Sequence, residues 1–425
     1  MTSPSPLALF RDLSVSPLFI ARLISSAGVG FGQLALTWGV MSLGHGPGGL
    51  SLVLTCNSLP VLLILFGGVA GDRFRRHQVL VAAELLASTT WLALGACFLT
   101  KQAPLFLLCT LSTLAGVAIA LFLPTIRGIV ADLMVGERRL AGNALISQMQ
   151  SLGLLIGLAS SGVVVSTLGS GWAALARGGL CAISACLLSR LKTPHWNSAE
   201  RGLVRELRGG WREFAAHRWV WLLTLQYTAV IIATVCYTDI AGPLYMSQGH
   251  GGAKAWGFIT ASEALGALVG ALIGARRRMH RSLWFMAALP AVTAIPMLML
   301  ANEVPWMYLA VASFIPGACQ ATYYVLWTTA LQSAFPPGVL VRVNSWNIMA
   351  SYALMPVTLL AAGPLVKAIG PQETAFVTAS FIIFSTVGTL IVLRSPMNVA
   401  PNTIARRDTF KDSMQLAEST SLNHQ

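Results

Sequence analysis

The feature that most constrains this chain is a short charged turn between two long apolar runs. The turn, Gly71–Arg76, reads GDRFRR; the run before it is LSLVLTCNSLPVLLILFGGVA, and the run after it is VLVAAELLASTTWLALGACFLT. Each run has about the 20 residues that a helix needs to cross a bilayer, so the turn must join two antiparallel membrane helices. A second basic turn, Gly274–His280 (GARRRMH), lies between apolar runs 203 residues later. We therefore expect a membrane protein built from two similar halves.

The composition agrees with a helical membrane protein. Charged residues make up 10% of the 425 residues and hydrophobic residues 55%, whereas a soluble globular protein carries about 25% charged residues. This deficit excludes an ordinary cytosolic enzyme. We predict an all-α membrane protein with twelve transmembrane helices in two pseudo-symmetric six-helix bundles. The predicted spans lie at about 17–43, 50–70, 79–100, 104–126, 142–168, 171–191, 219–247, 254–275, 282–301, 305–334, 342–366 and 373–394.

The net charge of +13 is distributed unevenly among the loops. Of the 28 Lys and Arg residues, 23 fall in the tails and in the loops on the same side as both termini. Lys101, Lys254 and Lys367 fall on the opposite side, and Arg22 and Arg177 fall within spans. Cytoplasmic loops carry the excess of basic residues, so both termini are predicted to be cytoplasmic. The basic charge then reflects topology, and we expect no nucleic-acid partner.

The polar stretches divide the chain into four parts. Between the sixth and seventh spans, Arg201, Arg205 and Arg208 recur at helical spacing, which is typical of an amphipathic helix on a membrane surface. The end of the chain is polar, and we expect it to be disordered. The predicted parts are an N-terminal bundle at 1–191, a cytoplasmic linker at 192–218, a C-terminal bundle at 219–394 and a cytoplasmic tail at 395–425.

Two segments carry a resemblance to a known family. The turn GDRFRRHQVL is similar to the motif between spans two and three of the major facilitator superfamily, and the two-bundle layout resembles that family over nearly the whole chain. The segment LFLPTIRGIVADLMVGERRLAGNALISQMQSLGLLIGLASSG resembles the branch that contains bacterial enterobactin exporters and macrolide efflux pumps. In that branch a Pro-x-x-Arg ends the fourth span and an Asn opens the fifth.

The resemblance implies a multi-pass secondary transporter of the bacterial inner membrane. It would export a small organic molecule, such as an antibiotic or a siderophore, by alternating access and proton antiport. Its partners would be that substrate, protons and the lipid bilayer, and it would act as a monomer. The sequence departs from common antiporter patterns, because Ser112 stands where an arginine is frequent in the fourth span and no proline accompanies Gly153 and Gly157 in the fifth.

The resemblance also implies a latch on the cytoplasmic face. In the family, the Asp of this turn contacts a span-four Arg and the start of span eleven, where a guanidinium and a helix N-terminus stabilise its carboxylate. The corresponding residues here are Asp72 and Arg127, with Arg73 and Arg76 beside them. Arg73, Arg75 and Arg76 are expected to lie at the membrane surface. The alternative is that the turn serves only to set topology.

Charged residues inside spans form a second set of candidates. A charge at the centre of a bilayer costs roughly 2.5–3.5 kcal/mol on insertion scales, so its presence suggests a function. Glu263 lies near mid-depth of the eighth span and is our leading candidate for proton coupling or cation binding; Asp239 lies in the outer third of the seventh span. Glu84 and Arg22 are further candidates. The alternatives are an interfacial carboxylate for Asp239 and snorkelling side chains for Glu84 and Arg22.

Spans one, four, seven and ten line the cavity in this family. Polar and aromatic residues of these spans suit a bulky organic substrate, although Trp and Tyr also gather at membrane interfaces. The candidates for substrate contact are Gln33, Trp38, Gln226, Tyr227, Tyr237, Gln320, Tyr323, Tyr324 and Trp327.

No motif for catalysis or nucleotide binding appears. All seven histidines fall in predicted loops or tails, and the sequence contains neither HExxH nor a Gly-rich phosphate loop with a lysine. We predict no enzyme activity, catalytic residue, metal or cofactor. The rival interpretations are an importer of the same fold, such as a metabolite– or siderophore–proton symporter, and a non-transporting membrane sensor or assembly factor.

Overall fold

The computed structural model describes residues 10, 12, 15–63, 75–134, 137–193, 211–212, 214–276, 283–335 and 337–394. Within these ranges every regular element is helical, which confirms the predicted all-α class. Eleven of the described helices are long and apolar enough to cross a membrane. They match eleven of the twelve predicted spans; the second, 50–70, is described only as far as Leu63.

In the described part of the first half there are six helices. They are α1 (Ser16–Ser42), α2 (Gly46–Ser58, followed by a 3-10 turn at Leu59–Leu63), α3 (Arg76–Thr100), α4 (Leu105–Leu133), α5 (Glu137–Thr167) and α6 (Ser170–Leu188). The second half repeats this order. Its helices are α7 (Arg218–Ser247), α8 (Gly252–Arg276), α9 (Leu283–Ala301), α10 (Trp306–Ala334), α11 (in two parts, Pro337–Tyr352 and Met355–Ile369) and α12 (Pro371–Arg394).

The turns on one side of the bundle repeat from half to half. Lys101 after α3 and Glu303 after α9 have φ angles of 53° and 56°, and Gly169 before α6 and Gly370 before α12 have φ angles of 97° and 87°. The members of each pair are 201 or 202 residues apart, close to the spacing of the two basic turns. Residues other than glycine rarely adopt a positive φ. These turns therefore indicate that both halves follow the same path.

Helices pair in the same way within each half. In the first half α1 packs on α5 and α6, α2 packs on α4, and α3 packs on α6. In the second half α7 packs on α11 and α12, α8 packs on α10, and α9 packs on α12. We call the side with the repeated positive-φ turns the distal side, and the side where α1 begins and α12 ends the proximal side.

The two halves meet along two seams, and the internal repeat relates each seam to the other. The seams are α5 with α8 and α2 with the second part of α11. A Cβ atom on Gly257 of α8 would lie 2.8 Å from Cα of Gly162 on α5, and Gly363 of α11 lies directly against the Ser51 side chain of α2. Carbon atoms normally pack at about 3.5–4.0 Å, so these seams need glycine. All four residues lie towards the distal ends of their helices, and the molecule is closed there.

Towards the proximal side the contacts between the halves change. The first part of α11, Pro337–Tyr352, packs on α7 and α10 of its own half. The proximal half of α5 exposes Asn143, Ser147 and Gln150. Polar side chains are unfavourable against lipid, so we infer that they border a crevice between the halves that opens on the proximal side.

Candidate functional site

A hydrogen bond joins the two halves at the distal end of the crevice. The Gln33 side chain of α1 hydrogen-bonds the carboxylate of Asp239 on α7. Asp239 lies in a π-helical segment, Cys236–Ala241, just before Pro243. Proline lacks an N–H, which leaves a preceding carbonyl unpaired and favours such a wide turn. The structure thus brings together two residues that sequence reasoning had named separately.

Trp38 belongs to the distal closure. It is half-buried and packs against the hydrophobic core of the first half and against that of the second half. Trp38 lies five residues beyond Gln33 along α1, nearer the distal end. Trp38 therefore contacts both halves on the distal side.

Glu263 lies at the centre of α8 and lines a small cavity inside the second half. The cavity has a volume of about 20 Å³, and a site needs roughly 10–15 Å³ to hold one water molecule. Helices α7, α8, α9 and α10 contribute its walls. The cavity suits a water or a proton rather than an organic substrate.

Hydroxyl groups surround Glu263 in this cavity. Those of Thr260, Thr293 and Ser313 donate to backbone carbonyls of their own helices at 2.9, 2.7 and 2.8 Å. Their oxygen atoms keep lone pairs that can accept a further hydrogen bond. The hydroxyl of Thr234 is buried and has no partner. A protonated carboxyl or a water molecule would find hydrogen-bond acceptors here. The only trace of this hydroxyl cluster in the sequence is a set of Ser and Thr residues spread over four spans.

Arg22 and Glu84 are buried in the first half, with 6% and 3% of their surface exposed. The interpretation as snorkelling side chains is therefore wrong in this conformation. Both line one cavity of about 240 Å³ together with Arg177, which is also 6% exposed. Arg22 Nη2 donates to Gln150 Oε1 at 2.5 Å and so links α1 to α5. Hydropathy alone could not have shown that three helices turn these charges inward.

The predicted cytoplasmic latch falls largely outside the described residues. Asp72 and Arg73 lie there, and so does the side chain of Arg127. Arg76 is described: its Nη1 donates to the Gly128 carbonyl at 2.8 Å and to Asp132 Oδ1 at 2.9 Å. These contacts hold the start of α3 to the end of α4, so Arg76 contacts protein rather than only the membrane surface. Sequence reasoning missed Asp132, although it is the only acidic residue near the end of the fourth span.

Several candidates for substrate contact are packed inside the second half. Gln226 Nε2 donates to the Ala287 carbonyl at 2.6 Å and to Thr386 Oγ1 at 3.2 Å, which fixes α7 to α9 and α12. In this conformation these buried side chains support the helices behind the crevice. The buried candidates, with their exposed fractions, are Gln226 (3%), Tyr237 (5%), Tyr323 (3%) and Trp327 (4%).

The remaining candidates of α7 and α10 lie nearer the surface. The Tyr227 ring is half-buried and stacks on Tyr323 with ring centroids 5.0 Å apart. Its hydroxyl accepts a hydrogen bond of 3.4 Å from Gln320 Nε2, and Tyr324 is 60% exposed. These three side chains form an aromatic and amide surface at the edge of the second half.

Curated relatives and solved structures resemble the chain over nearly its full length. It is 28% identical over 417 residues to the multidrug efflux pump Tap of Mycobacterium tuberculosis, covering 91% of this chain and 95% of the relative. It is 26% identical over 381 residues to Tap of Mycolicibacterium fortuitum, covering 84% and 90%. The fold is similar to that of the nucleoside transporter NupG, with a TM-score of 0.72, 10% identity and coverage of 90% and 100%. It is also similar to a bacterial homologue of the human lysosomal transporter Spinster in an inward-facing conformation, with a TM-score of 0.60, 15% identity and coverage of 93% and 98%.

A family model supports the same assignment. The model described as the Major Facilitator Superfamily matches residues 18–358, which span nearly all of the first half and most of the second. With the repeated helix order, the paired seams between the halves and the full-length relatives, this match is decisive: the chain is a transporter that belongs to the major facilitator superfamily.

Proposed function

We propose that the chain exports small organic molecules from the bacterial cytoplasm and is driven by protons that enter in exchange. The relatives named as multidrug efflux pumps support export. The observation that carries the proposal is the close glycine contacts of the distal seams, together with the exposed polar side chains of α5 from which we infer a crevice on the proximal side. With the termini in the cytoplasm, this is the conformation in which an exporter takes up its substrate.

Alternating access requires both seams to open together. Each seam consists of close glycine contacts at the distal ends of two helices, so a small rotation of one half separates them without unfolding a helix. Trp38 and the bond between Gln33 and Asp239 must then separate from the opposite half. We propose these contacts as the outer gate.

Protons can act on this gate through Asp239. An ionised carboxylate accepts a stronger hydrogen bond than a neutral carboxyl does. Protonation of Asp239 would therefore weaken its bond to Gln33 and change the balance between the closed and the open distal side. Because Asp239 and Gln33 lie in different halves, one proton can change the contact between them.

Glu263 is the second proposed proton site. It lies six residues from the seam residue Gly257 on α8, or about 9 Å along the helix axis at 1.5 Å per residue. Gly317 of α10 lies directly against the backbone carbonyl of Glu263. A change in charge at Glu263 can thus act on the packing of the helix that forms the seam.

On the proximal side we propose the latch of Asp72, Arg73, Arg76 and Arg127. When the distal side opens, the proximal ends of the two halves must meet, and the carboxylate of Asp72 would then bind Arg127 and the start of α11. The described contacts of Arg76 with Gly128 and Asp132 support this, because they place the start of α3 beside the end of α4. The latch would operate in one half, since Ala275 replaces the aspartate in the other.

For the substrate we propose a crevice wall formed by Gln33, Tyr227, Gln320 and Tyr324. Its aromatic faces and amide groups suit an organic molecule of moderate size. The buried candidates Gln226, Tyr237, Tyr323 and Trp327 would act behind this wall by holding it in place. We further propose a monomer in the inner membrane, with bundles at 1–191 and 219–394, a linker at 192–218 and a tail at 395–425.

Transport into proteoliposomes tests the proposal. The full chain would be reconstituted, and uptake of a panel of fluorescent antibiotics and labelled siderophores would be measured with an imposed pH gradient of either sign. We expect the transported compound to accumulate in the lumen when the lumen is the more acidic side, because protons then leave as the compound enters. Glu263→Gln should abolish this coupling between compound and protons. Glu373→Gln, which changes an acidic residue in the first turn of α12, should leave the coupling intact. Accumulation along with protons would indicate an importer, and no movement of any compound would favour a sensor.

A further inference from the structure

The cavity in the first half is an unusual place for arginines. Its volume is about 240 Å³, and its walls come from α1, α3, α4, α5 and α6. Among the residues that the structure describes, the guanidinium groups of Arg22 and Arg177 line it with one acidic residue, Glu84. Its remaining wall is mainly small and apolar, with Phe122 beneath the Arg22 guanidinium at 5.5 Å.

The cavity borders the crevice through one face of α1. Arg22, Ser26, Val29 and Gln33 recur at spacings of four, three and four residues, and therefore lie on one face of this helix. Gln33 on this face reaches Asp239 in the other half. Val29, which lines the cavity, is 43% exposed. This face of α1 therefore connects the wall of the cavity with the wall of the inferred crevice.

Arg177 is held rigidly in the cavity wall. Its Nη1 donates to the carbonyls of Gly28 and Val29 at 3.2 Å each, and its guanidinium lies 4.2 Å from the ring centroid of Trp91. Its Nε is buried and has no hydrogen-bond partner. A planar guanidinium with a free donor is suited to an oxyanion.

Glu84 does not satisfy this donor. Its Oε1 accepts a hydrogen bond of 3.1 Å from the Ser184 hydroxyl, and no ion pair of 4.0 Å or less joins it to Arg177. Among the described lining residues, guanidiniums therefore outnumber carboxyls by two to one, which favours an anion in the cavity.

We propose that this cavity receives the acidic group of the transported molecule, so that the substrates are organic acids. The carboxylate, or another oxyanion, would bind Arg177 and Arg22, while the apolar remainder of the molecule would lie in the crevice. The proposal rests on the transport function given above and names its substrate class. It predicts discrimination between an acid and a neutral molecule of the same shape.

Binding of 1-naphthoate and of 1-naphthamide to the purified full chain provides the test. The two probes have nearly the same shape and differ in charge. A charged group strengthens a hydrogen bond, so we expect calorimetry to show naphthoate binding about 10- to 150-fold more tightly. Arg177→Gln and Arg22→Gln should each reduce this ratio to below about threefold. Lys254→Gln, which removes the same charge from an exposed site at the distal end of α8, should leave the ratio unchanged.

Several results would contradict the proposed acid-binding cavity. Equal binding of the two probes, no binding of naphthoate at millimolar concentration, or a ratio that survives in both arginine variants would overturn the inference. If Arg177→Gln does not fold, the wild-type ratio and Arg22→Gln still decide. Proton-driven export of neutral compounds with no preference for acids would overturn this inference and leave the proposed function standing. Acid binding without transport of any compound would overturn the proposed function and leave an acid-binding cavity that is not a transport site.

Discussion

Gly257→Ala should hold the distal side open. The new Cβ would lie 2.8 Å from Cα of Gly162 and 3.0 Å from the Leu158 carbonyl oxygen. Carbon atoms pack at about 3.5 Å or more, so α5 and α8 must separate by about 0.7 Å. Overpacking of this kind costs typically about 1–3 kcal/mol. The closed conformation alone bears this cost, so the ratio of closed to open molecules should fall about 5- to 150-fold.

Thiol labelling measures this shift. Ala253 of α8 is 4% exposed and packs into the core of the first half, so a cysteine there is covered only while the seam is closed. In a chain whose seven native cysteines are replaced, Ala253→Cys should react faster with a membrane-impermeant maleimide when Gly257→Ala is present.

Gly388→Ala is the matched control for this experiment. It makes the same change within a helix at a site where the new Cβ meets no atom within 4 Å. Both substitutions raise helix propensity by a similar amount, so a difference between them reports the seam. Equal labelling rates in the two variants would refute the reasoning.

Three further predictions concern the gate, the core and the latch. Gln33→Ala should destabilise the distal-closed state by about 1.5–3 kcal/mol, and by clearly less when Asp239→Asn is already present, as a double-mutant cycle of labelling rates would show. Gln226→Ala should lower the free energy of unfolding by about 1–3 kcal/mol, because the buried Ala287 carbonyl loses its side-chain donor; the thermal midpoint of the purified chain reports this. Asp72→Asn should slow transport, as uptake into vesicles would show, and should leave the amount of protein in the membrane fraction unchanged.

Controls separate these effects from general damage. Gln248→Ala changes an exposed glutamine on the distal side and should leave the thermal midpoint unchanged. An equal effect of Gln33→Ala with or without Asp239→Asn would contradict the bond between the halves. Normal transport by Asp72→Asn would reject the latch.

The spans and the duplication could be predicted because each depends on local sequence. An apolar run of bilayer length forms a helix wherever it lies, since lipid cannot satisfy its backbone groups. Two basic turns 203 residues apart then reveal the repeat. The repeated turns at Lys101 and Glu303 agree with it, although neither residue type signals a positive φ.

The inward faces could not be predicted because membrane helices are apolar on all sides. Tyr323 and Tyr324 are neighbours on α10, yet one is 3% exposed and the other 60%. Their side chains differ in direction by about 100°, and only the packing of α10 decides which one faces the interior. For the same reason Arg22 and Glu84 looked interfacial from their depth, whereas they face a common cavity.

The pairing of Gln33 with Asp239 also depends on tertiary structure. The two residues are 206 positions apart and lie in different halves. Asp239 was a candidate because a charge within a span is uncommon, and Gln33 was a candidate because the first span lines the cavity in the family. Their contact follows from the approach of α1 to the π-helical segment of α7, for which Pro243 was the only local signal.

Distances between spin labels on the two halves test the central claim most directly. One pair, on Leu168 and Gln248, would report the distal side, and a second pair, on Arg139 and Gln332, would report the proximal side; all four positions are exposed. Alternating access predicts that a change of pH or added substrate populates a second state in which the distal distance lengthens while the proximal distance shortens. Distal and proximal distances that stay fixed under every condition, or that lengthen together, would contradict it.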